Sequence, residues 1–155
     1  MLPRLRRFAL ALTGVPDVAD DLVQNGCIRA LACSQQWQPG TRMDSWMYRI
    51  LQNLWIDQRR ALATAGGGSA VEDLDTLPEE SDFEQGVHAQ LELAQVLRAM
   101  QGLPDAHRSL LALVSIEGLS YREAAEVLQL PMGTVMSRLC RARTALKARL
   151  MEAAA

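Results

Sequence analysis

A helix-turn-helix is predicted by residues 120–143, which read SYREAAEVLQLPMGTVMSRLCRAR. Ser120 and Glu123 form a capping-box pair, so a short helix is expected to begin here. The sequence Gln129-Leu130-Pro131 breaks that helix, and Pro131 suits the first turn of a second helix. A short helix, a tight turn and a longer helix together make up the motif.

The second helix of the motif has one apolar and one polar face. Residues spaced by three and four positions form the apolar stripe: Val135, Leu139, Ala142, Leu146 and Leu150. The opposite face carries Thr134, Ser137, Arg138, Arg141 and Ala145. Small polar groups and arginines suit base edges and phosphates in a DNA major groove.

A plain helical hairpin with solvated arginines is the alternative interpretation of this segment. The local charge favours DNA binding, because residues 120–150 carry six basic and two acidic side chains. The whole chain has a net charge of −2, so its positive charge is concentrated where the motif lies.

The composition limits the class of protein. The chain has 155 residues, enough for one ordinary domain or two small ones, and 49% of them are hydrophobic. Helical periodicity recurs throughout and strand signals are almost absent, so the predicted fold class is all-α. No stretch is apolar enough to span a membrane, and the start does not match a signal peptide. Three widely spaced cysteines suit a reducing compartment, so we expect a cytoplasmic protein.

Two helices are predicted in succession at the start of the chain. The first runs from near Pro3 to Leu12, ends at Thr13-Gly14 and lacks a polar cap, so we expect either that residues upstream are missing or that the start is unusually late. The second begins at Val15-Pro16-Asp17, with Asp17 as its cap. Its predicted buried stripe contains Ala19, Leu22, Val23, Cys27, Ala30 and Leu31.

The other face of the second helix is mostly acidic and carries Asp17, Asp20, Asp21, Gln24 and Asn25. Acidic residues in a first turn favour the helix dipole, which is a purely structural explanation for Asp20 and Asp21. A surface that binds a partner is the sharper interpretation. Gly26 costs roughly 1 kcal/mol in mid-helix compared with alanine, and a close packing contact is the only explanation we offer for it.

A third helix is predicted from Asp44 to Arg60, with Met47, Ile50, Leu51 and Leu54 as its core stripe. Arg49, Asn53 and Arg60 fall on another face, because residues 49 and 60 are almost three whole turns apart. Trp46, Tyr48 and Trp55 interleave with them, which suits the bases and phosphates of a single-stranded nucleic acid. Burial in the core is the favoured alternative for Trp46 and Trp55.

The chain is predicted to divide at a flexible acidic linker, residues 65–82. It contains Gly66-Gly67-Gly68-Ser69, and residues 72–84 carry seven acidic and no basic side chains. A solvated spacer is the favoured interpretation. Two small helical domains therefore flank it, at residues 1–64 and 83–155, and the second contains the helix-turn-helix. Before that motif we expect one helix ending around Gly102 and another from Pro104-Asp105 through Ile116.

These segments together resemble one protein family. In the first domain the resemblance rests on LRRFALALTG, DVADDLVQNGCIRAL and WMYRILQNLWIDQRR, and in the second on LRAMQGLPDAHRSLLALVSIEGLSYREAAEVLQLPMGTVMSRLCRARTAL. The chain resembles bacterial sigma factors of the extracytoplasmic-function class, the two-domain promoter-recognition subunits of RNA polymerase. The resemblance covers nearly the whole chain. It implies a protein that catalyses nothing, needs no cofactor, and is usually held by an anti-sigma protein.

The resemblance also implies a role for each surface. Asp17, Asp20, Asp21 and Gln24 match the part that docks on a coiled coil of the largest subunit of core RNA polymerase. The third helix matches the part that opens the downstream (minus-ten) element and holds its single strand, with Asn53 reading a base and Arg49, Arg59 and Arg60 along the phosphates. Thr134, Ser137, Arg138 and Arg141 match the face that reads the upstream (minus-thirty-five) duplex.

The chain departs from the family pattern at two places. Asn25-Gly26-Cys27 stands where the family usually has Glu-Thr or Glu-Ala followed by an aromatic residue, and Met136 stands where a basic residue is common. Neutralising fewer phosphates lowers affinity for DNA and flattens its salt dependence. The alternative function is therefore an adaptor or mimic that binds a regulator or polymerase without reading DNA.

Two other classes of function are disfavoured. A metal or thiol sensor would use Cys27, Cys33, Cys140, His88 and His107, but no pair has a recognisable ligand spacing, so no metal site is predicted. An enzyme would need paired carboxylates, a nucleophile elbow or a phosphate loop, and the sequence contains none of these patterns.

Overall fold

The structure is a computed structural model, and it describes residues 1–64 and 87–154. Within these two ranges all regular secondary structure is helical, which confirms the predicted all-α class. The α-helices are α1 (Leu2–Thr13), α2 (Pro16–Ala32), α3 (Met43–Thr64), α4 (Val87–Gln101), α5 (Asp105–Leu111), α6 (Tyr121–Leu128) and α7 (Met132–Ala154). A 3₁₀ turn occupies Ser34–Gln36, and a π-helical segment, Ala112–Ile116, continues α5. The predicted acidic linker, residues 65–82, lies outside the described residues.

The boundary between α1 and α2 lies where the sequence predicted it. Gly14 has a φ of 73°, in the left-handed region, and its N–H donates to the Leu10 carbonyl at 2.8 Å. Val15 is the N-cap of α2 and Pro16 is its first residue. The prediction that Asp17 caps α2 is wrong. Pro16 starts the helix two residues earlier than an Asp17 cap would allow, because its ring presets the backbone angle, so Asp17 lies in the first turn.

The predicted buried stripe of α2 is only partly correct. Ala19 and Leu22 are fully buried, while Val23, Cys27 and Ala30 are half-buried. Leu31 is 79% exposed, so its predicted burial is wrong. No residue of α2 after Cys27 is buried, because the last turn of the helix is not covered by α1 and α3, the helices on which α2 packs.

Gly26 marks the close approach of α2 to α3. It is buried, and a Cβ atom placed there would overlap the Leu51 Cδ2 methyl group. Leu51 is itself fully buried, so it has little room to move away. The missing side chain of Gly26 therefore allows the two helices to pack, which is the predicted close contact.

Replacing Gly26 by alanine should destabilise the protein despite the better helix propensity of alanine. The overlap with Leu51 is expected to outweigh the gain in propensity, lowering the free energy of unfolding by about 1 kcal/mol net. Gly133 on α7 has no atom within 4 Å of the equivalent position, so Gly133→Ala is the matched control. Urea unfolding should show the control at least as stable as wild type. A Gly26→Ala protein as stable as that control would contradict this packing.

Helix α3 packs into the hydrophobic core along its predicted stripe. Met47 and Leu51 are buried, and Ile50 and Leu54 are partly buried, so the predicted stripe is confirmed. Trp55 is 3% exposed and Trp46 is half-buried. Burial, the favoured alternative for these two tryptophans, is therefore complete for Trp55 and partial for Trp46, and Trp55 has almost no surface for stacking on a base.

The helix-turn-helix is confirmed as α6 and α7. The Ser120 hydroxyl accepts a hydrogen bond from the Glu123 N–H at 3.1 Å, which is the predicted cap. Gln129 has a φ of 55°, so the turn contains a left-handed non-glycine residue. Pro131 precedes the first turn of α7, contrary to the prediction that places it within that turn, and its carbonyl accepts the Val135 N–H at 3.1 Å.

The two described ranges pack against each other. Helix α1 contacts α4, α5 and the π segment as well as α2 and α3, and α3 contacts α6. Residues 1–64 are called the N-terminal half below, and residues 87–154 the C-terminal half. Because α1 packs on both halves and their buried apolar residues form one cluster, the structure is in a closed arrangement.

Candidate nucleic-acid and polymerase interfaces

The polar face of α7 is open to solvent at its centre. Ser137 and Arg141 are exposed, while Thr134 and Arg138 are half-buried. In the described part of the chain neither arginine forms an ion pair. Opposite them, Val135, Leu139 and Ala142 are buried. The packing of α7 therefore leaves two guanidinium groups without a carboxylate partner, that of Arg141 in solvent and that of Arg138 half-buried.

The face of α3 that is predicted to hold single-stranded DNA is exposed, but one of its arginines is already paired with the C-terminal half. Arg49, Asn53, Arg59 and Arg60 are all exposed. Arg59 pairs with Asp105 of the C-terminal half at 3.2 Å and lies over the Trp55 ring, 5.7 Å from its centroid. A phosphate would have to compete with Asp105 for Arg59 in this arrangement.

Arg49 lies at a second contact between the halves, where α3 meets α6. It lines a cleft of about 420 Å³ together with Glu123 and Glu126 of α6. Arg42 closes this cleft, because its guanidinium donates to the Glu123 carboxylate at 2.7 Å. The closed arrangement therefore sets Glu123 and Glu126 of α6 beside Arg42 and Arg49.

The predicted polymerase-binding face of α2 is exposed. Asp17, Asp20, Asp21 and Gln24 all lie at the surface. Asp20 accepts a hydrogen bond from Arg6 of α1 at 2.7 Å, whereas Asp17 and Asp21 have no ion pair among the described residues. Exposed apolar side chains extend this surface, since Val18 and Ile28 are 42% and 59% exposed.

A buried carboxylate, which no sequence pattern indicated, bridges the two halves. The Glu117 side chain has no exposed surface, and it follows directly after the π segment of the C-terminal half. Arg7 of α1 donates to it twice, at 2.8 and 3.0 Å, and the Tyr48 hydroxyl donates at 2.9 Å. Arg4 is a third contact, at 3.6 Å. These four residues are called the Glu117 cluster.

Protonation states in the Glu117 cluster favour its hydrogen bonds. Burial, together with the Glu117 charge and hydrogen bond, raises the pKa of Tyr48, so the phenol keeps the proton that it donates. The hydrogen bond to Glu117 raises the pKa of Arg7 against the opposing effect of burial. Nearby, burial works to raise the pKa of Asp44, but hydrogen bonds from Arg42 and the Ser45 N–H lower it overall.

The C-terminal half also caps the end of α1. The buried Arg108 donates to the Leu12 carbonyl at 2.7 Å, and Gln101 donates to the Ala11 carbonyl at 3.0 Å. Burial lowers the pKa of Arg108. The last carbonyls of a helix have no partner within it, so these bonds satisfy them from across the interface.

The comparisons with known proteins agree with these features. The family model for sigma-70 region 2 matches residues 1–64, and the model for sigma-70 region 4 matches residues 93–146. The chain is also 38% identical to the ECF RNA polymerase sigma factor EcfG of Rhodopseudomonas palustris, over 96% of this chain and 80% of that protein. This chain belongs to the extracytoplasmic-function sigma factors of the sigma-70 family.

Two solved structures of sigma factors share the fold. RpoE of Bartonella quintana, crystallised with the anti-sigma factor NepR, matches with a TM-score of 0.80 at 29% identity, covering 97% of this chain and 91% of that one. CnrH, solved with the cytosolic domain of CnrY, matches with a TM-score of 0.70 at 27% identity, covering 99% and 83%. The sequence-based resemblance to this family is confirmed.

In residues 1–64 and 87–154 no three His, Cys, Asp or Glu side chains come together as a metal site would require. None of the helices in this part of the sigma factor is both long and apolar enough to cross a membrane.

Proposed function

We propose that this sigma factor is a promoter-recognition subunit that binds core RNA polymerase and directs transcription initiation at specific promoters. The observation that carries the proposal is the polar face of α7, the second helix of the helix-turn-helix, where Arg138 and Arg141 have no ion pair among the described residues and lie beside Ser137. Two uncompensated cations on such a helix suit the phosphates and guanine edges of a major groove. The sigma factor itself catalyses no reaction, needs no cofactor and acts in the cytoplasm, where the polymerase is found.

Each surface has a separate role in this proposal. Thr134, Ser137, Arg138 and Arg141 read the upstream duplex element, and Arg49, Asn53, Arg59 and Arg60 hold the single strand of the downstream element. Asp17, Asp20, Asp21 and Gln24 dock on the polymerase. Residues 1–64 and 83–155 act as two domains joined by the linker at 65–82. A tether lets each domain find its own element, and the two contacts together raise affinity.

The closed arrangement fits control by a second protein. Arg59 is engaged by Asp105, and Arg49 faces acidic groups of α6, so the proposed single-strand face is partly covered while the halves pack together. RpoE and CnrH, the two structural relatives, were solved with NepR and with a domain of CnrY. We therefore propose that an anti-sigma protein holds this sigma factor as well, in a form that does not initiate transcription.

Binding to core polymerase tests the docking face. Asp21 is the most suitable position for a charge reversal, because it is exposed and has no ion pair among the described residues. A charge reversal at Asp20 would also repel Arg6. On gel filtration with core enzyme, wild type should co-elute and Asp21→Arg should bind at least about tenfold more weakly, a loss of about 1.4 kcal/mol. Glu152→Arg, a charge reversal at an exposed position of α7, is the control. Equal binding by both variants would refute the proposed docking face.

A sigma-like adaptor that binds polymerase or a regulator without reading DNA is the second candidate. The exposed Met136, 52% accessible on the recognition helix, favours it, because an apolar side chain adds no phosphate contact there. The two functions differ in their need for Arg138 and Arg141, since an adaptor should keep its activity when both are replaced by alanine.

A further inference from the structure

A cleft of about 470 Å³ lies where α3 meets the C-terminal half. Helix α3 forms one wall, and α5, the end of α6 and the start of α7 form the other. Ligand sites for small molecules commonly enclose about 300–1,000 Å³, so the cleft has the size of such a site. We call it the α3–α7 cleft.

The charges around the α3–α7 cleft favour an anion. Arg60 lines it from the N-terminal half and Arg138 from the C-terminal half, and neither forms an ion pair within the described ranges. The carboxylate on its wall, Asp105, is already paired with Arg59 at 3.2 Å. Two guanidinium groups without a partner therefore border one space, and guanidinium groups bind phosphate oxygens with charge-assisted hydrogen bonds.

A buried amide in the α3–α7 cleft is a second, independent sign of a ligand, because it lacks a hydrogen-bond donor. Gln52 lines the α3–α7 cleft, is only 6% exposed, and has an Oε1 atom that is buried without a hydrogen-bond partner. An unsatisfied buried acceptor costs about 1–3 kcal/mol, so a donor is expected near it. The last side-chain torsion of glutamine is broad, so a small rotation turns this acceptor toward a ligand in the cleft.

The rest of the lining is largely apolar. Ile56 and Ala63 line the cleft from α3. Leu128, the last residue of α6, and Leu130, in the turn that follows, line it from the C-terminal half. A flat ring would cover these side chains and remove their surface from water. Trp55 also lines the cleft but is only 3% exposed, so it supports the wall from behind.

We propose that the α3–α7 cleft is a binding site for a nucleotide. Its phosphates pair with Arg60 and Arg138, its base lies on the apolar wall, and an amino group of the base donates to Gln52. Because the two arginines come from different halves, the bound nucleotide stabilises the closed arrangement. If the proposed function holds, the nucleotide also competes with promoter phosphates for Arg138, but binding itself does not depend on that function.

Calorimetric titration of the full chain tests the site with three probes: ADP, adenosine and inorganic pyrophosphate. We expect ADP to bind more tightly than either fragment and to raise the melting temperature. Arg60→Ala, Arg138→Ala and Gln52→Leu should each weaken ADP binding about tenfold or more. Arg141→Ala, on the same helix but outside the cleft, should leave it unchanged. Circular dichroism of each variant shows whether it is folded.

Several outcomes would overturn the proposal. These are no binding of ADP by the folded chain, equal binding of ADP and pyrophosphate, or equal losses for Arg138→Ala and Arg141→Ala. Equal binding of ADP and pyrophosphate would mean that the apolar wall and Gln52 contribute nothing to affinity. Equal losses for the two arginine variants would mean that binding reflects general positive charge. Each can be recognised without any measurement of transcription, so failure of this site is separate from failure of the proposed function.

Discussion

Replacing both Arg4 and Arg7 by alanine is expected to release the two halves of the sigma factor from each other. The double substitution leaves the Glu117 carboxylate with only the Tyr48 hydroxyl as a partner from the N-terminal half. Removing the partner of a buried charge costs about 3–5 kcal/mol, because the remaining charge is uncompensated. Opening of the interface hydrates the Glu117 carboxylate fully, so we expect the closed arrangement to lose stability relative to a more extended one.

Small-angle scattering measures this opening directly. A compact chain of this length has a radius of gyration of about 15 Å, and separated halves should give a clearly larger value. Arg6→Ala is the matched control from the same helix, since Arg6 pairs with the exposed Asp20. Such surface pairs contribute about 0.5 kcal/mol, so the control should stay compact. A double variant that remains as compact as the control would show that the Glu117 cluster does not hold the halves together.

The second large effect is expected at the recognition helix. Arg141→Ala should weaken binding to a cognate upstream element by about 1–3 kcal/mol, the range for losing a base or phosphate contact. If the contact is to a phosphate, the slope of log affinity against log salt should also fall by about 0.9. Arg138→Ala should act in the same direction, because its guanidinium is on the same polar face and has no ion pair among the described residues.

Fluorescence anisotropy across a salt series separates this effect from general charge loss. Arg149→Ala is the control. The Arg149 guanidinium lies against Gly102, near the C-terminal end of α7, whereas the proposed recognition residues are near its N-terminal end. It should retain nearly wild-type affinity and slope. Parallel losses for Arg149 and Arg141 would indicate unspecific attraction, and unchanged promoter binding after loss of both Arg138 and Arg141 would favour the adaptor.

The helix-turn-helix was predictable because its signals are local. The cap at Ser120, the break at Gln129-Leu130-Pro131 and the stripe through Val135 and Leu139 each depend on residues within a few positions of one another. The end of α1 at Gly14 was predictable for the same reason. Exposure of Ser137 and Arg141 follows from the stripe, since residues opposite the buried face point outward, whereas the half-burial of Thr134 and Arg138 does not follow from it.

The contacts between the halves were not predictable in this way. Arg7 and Glu117 are 110 residues apart, and no spacing rule connects them. Burial of Leu31 was predicted because periodicity shows which side of a helix is apolar, but not where its neighbours stop covering it. The helix predicted through Ile116 widens into a π segment, with the Glu117 N–H donating to the Ala112 carbonyl at 2.9 Å, and nothing local indicates this.

Transcription in vitro tests the central claim most directly. Core RNA polymerase would be combined with this sigma factor and a library of genomic fragments from the bacterium that encodes it, and the 5′ ends of the transcripts mapped. We expect transcripts that begin at defined positions only when the sigma factor is added, and that disappear with Arg138→Ala combined with Arg141→Ala. A folded sigma factor that co-elutes with core polymerase but yields no promoter-specific start on any fragment would contradict the account.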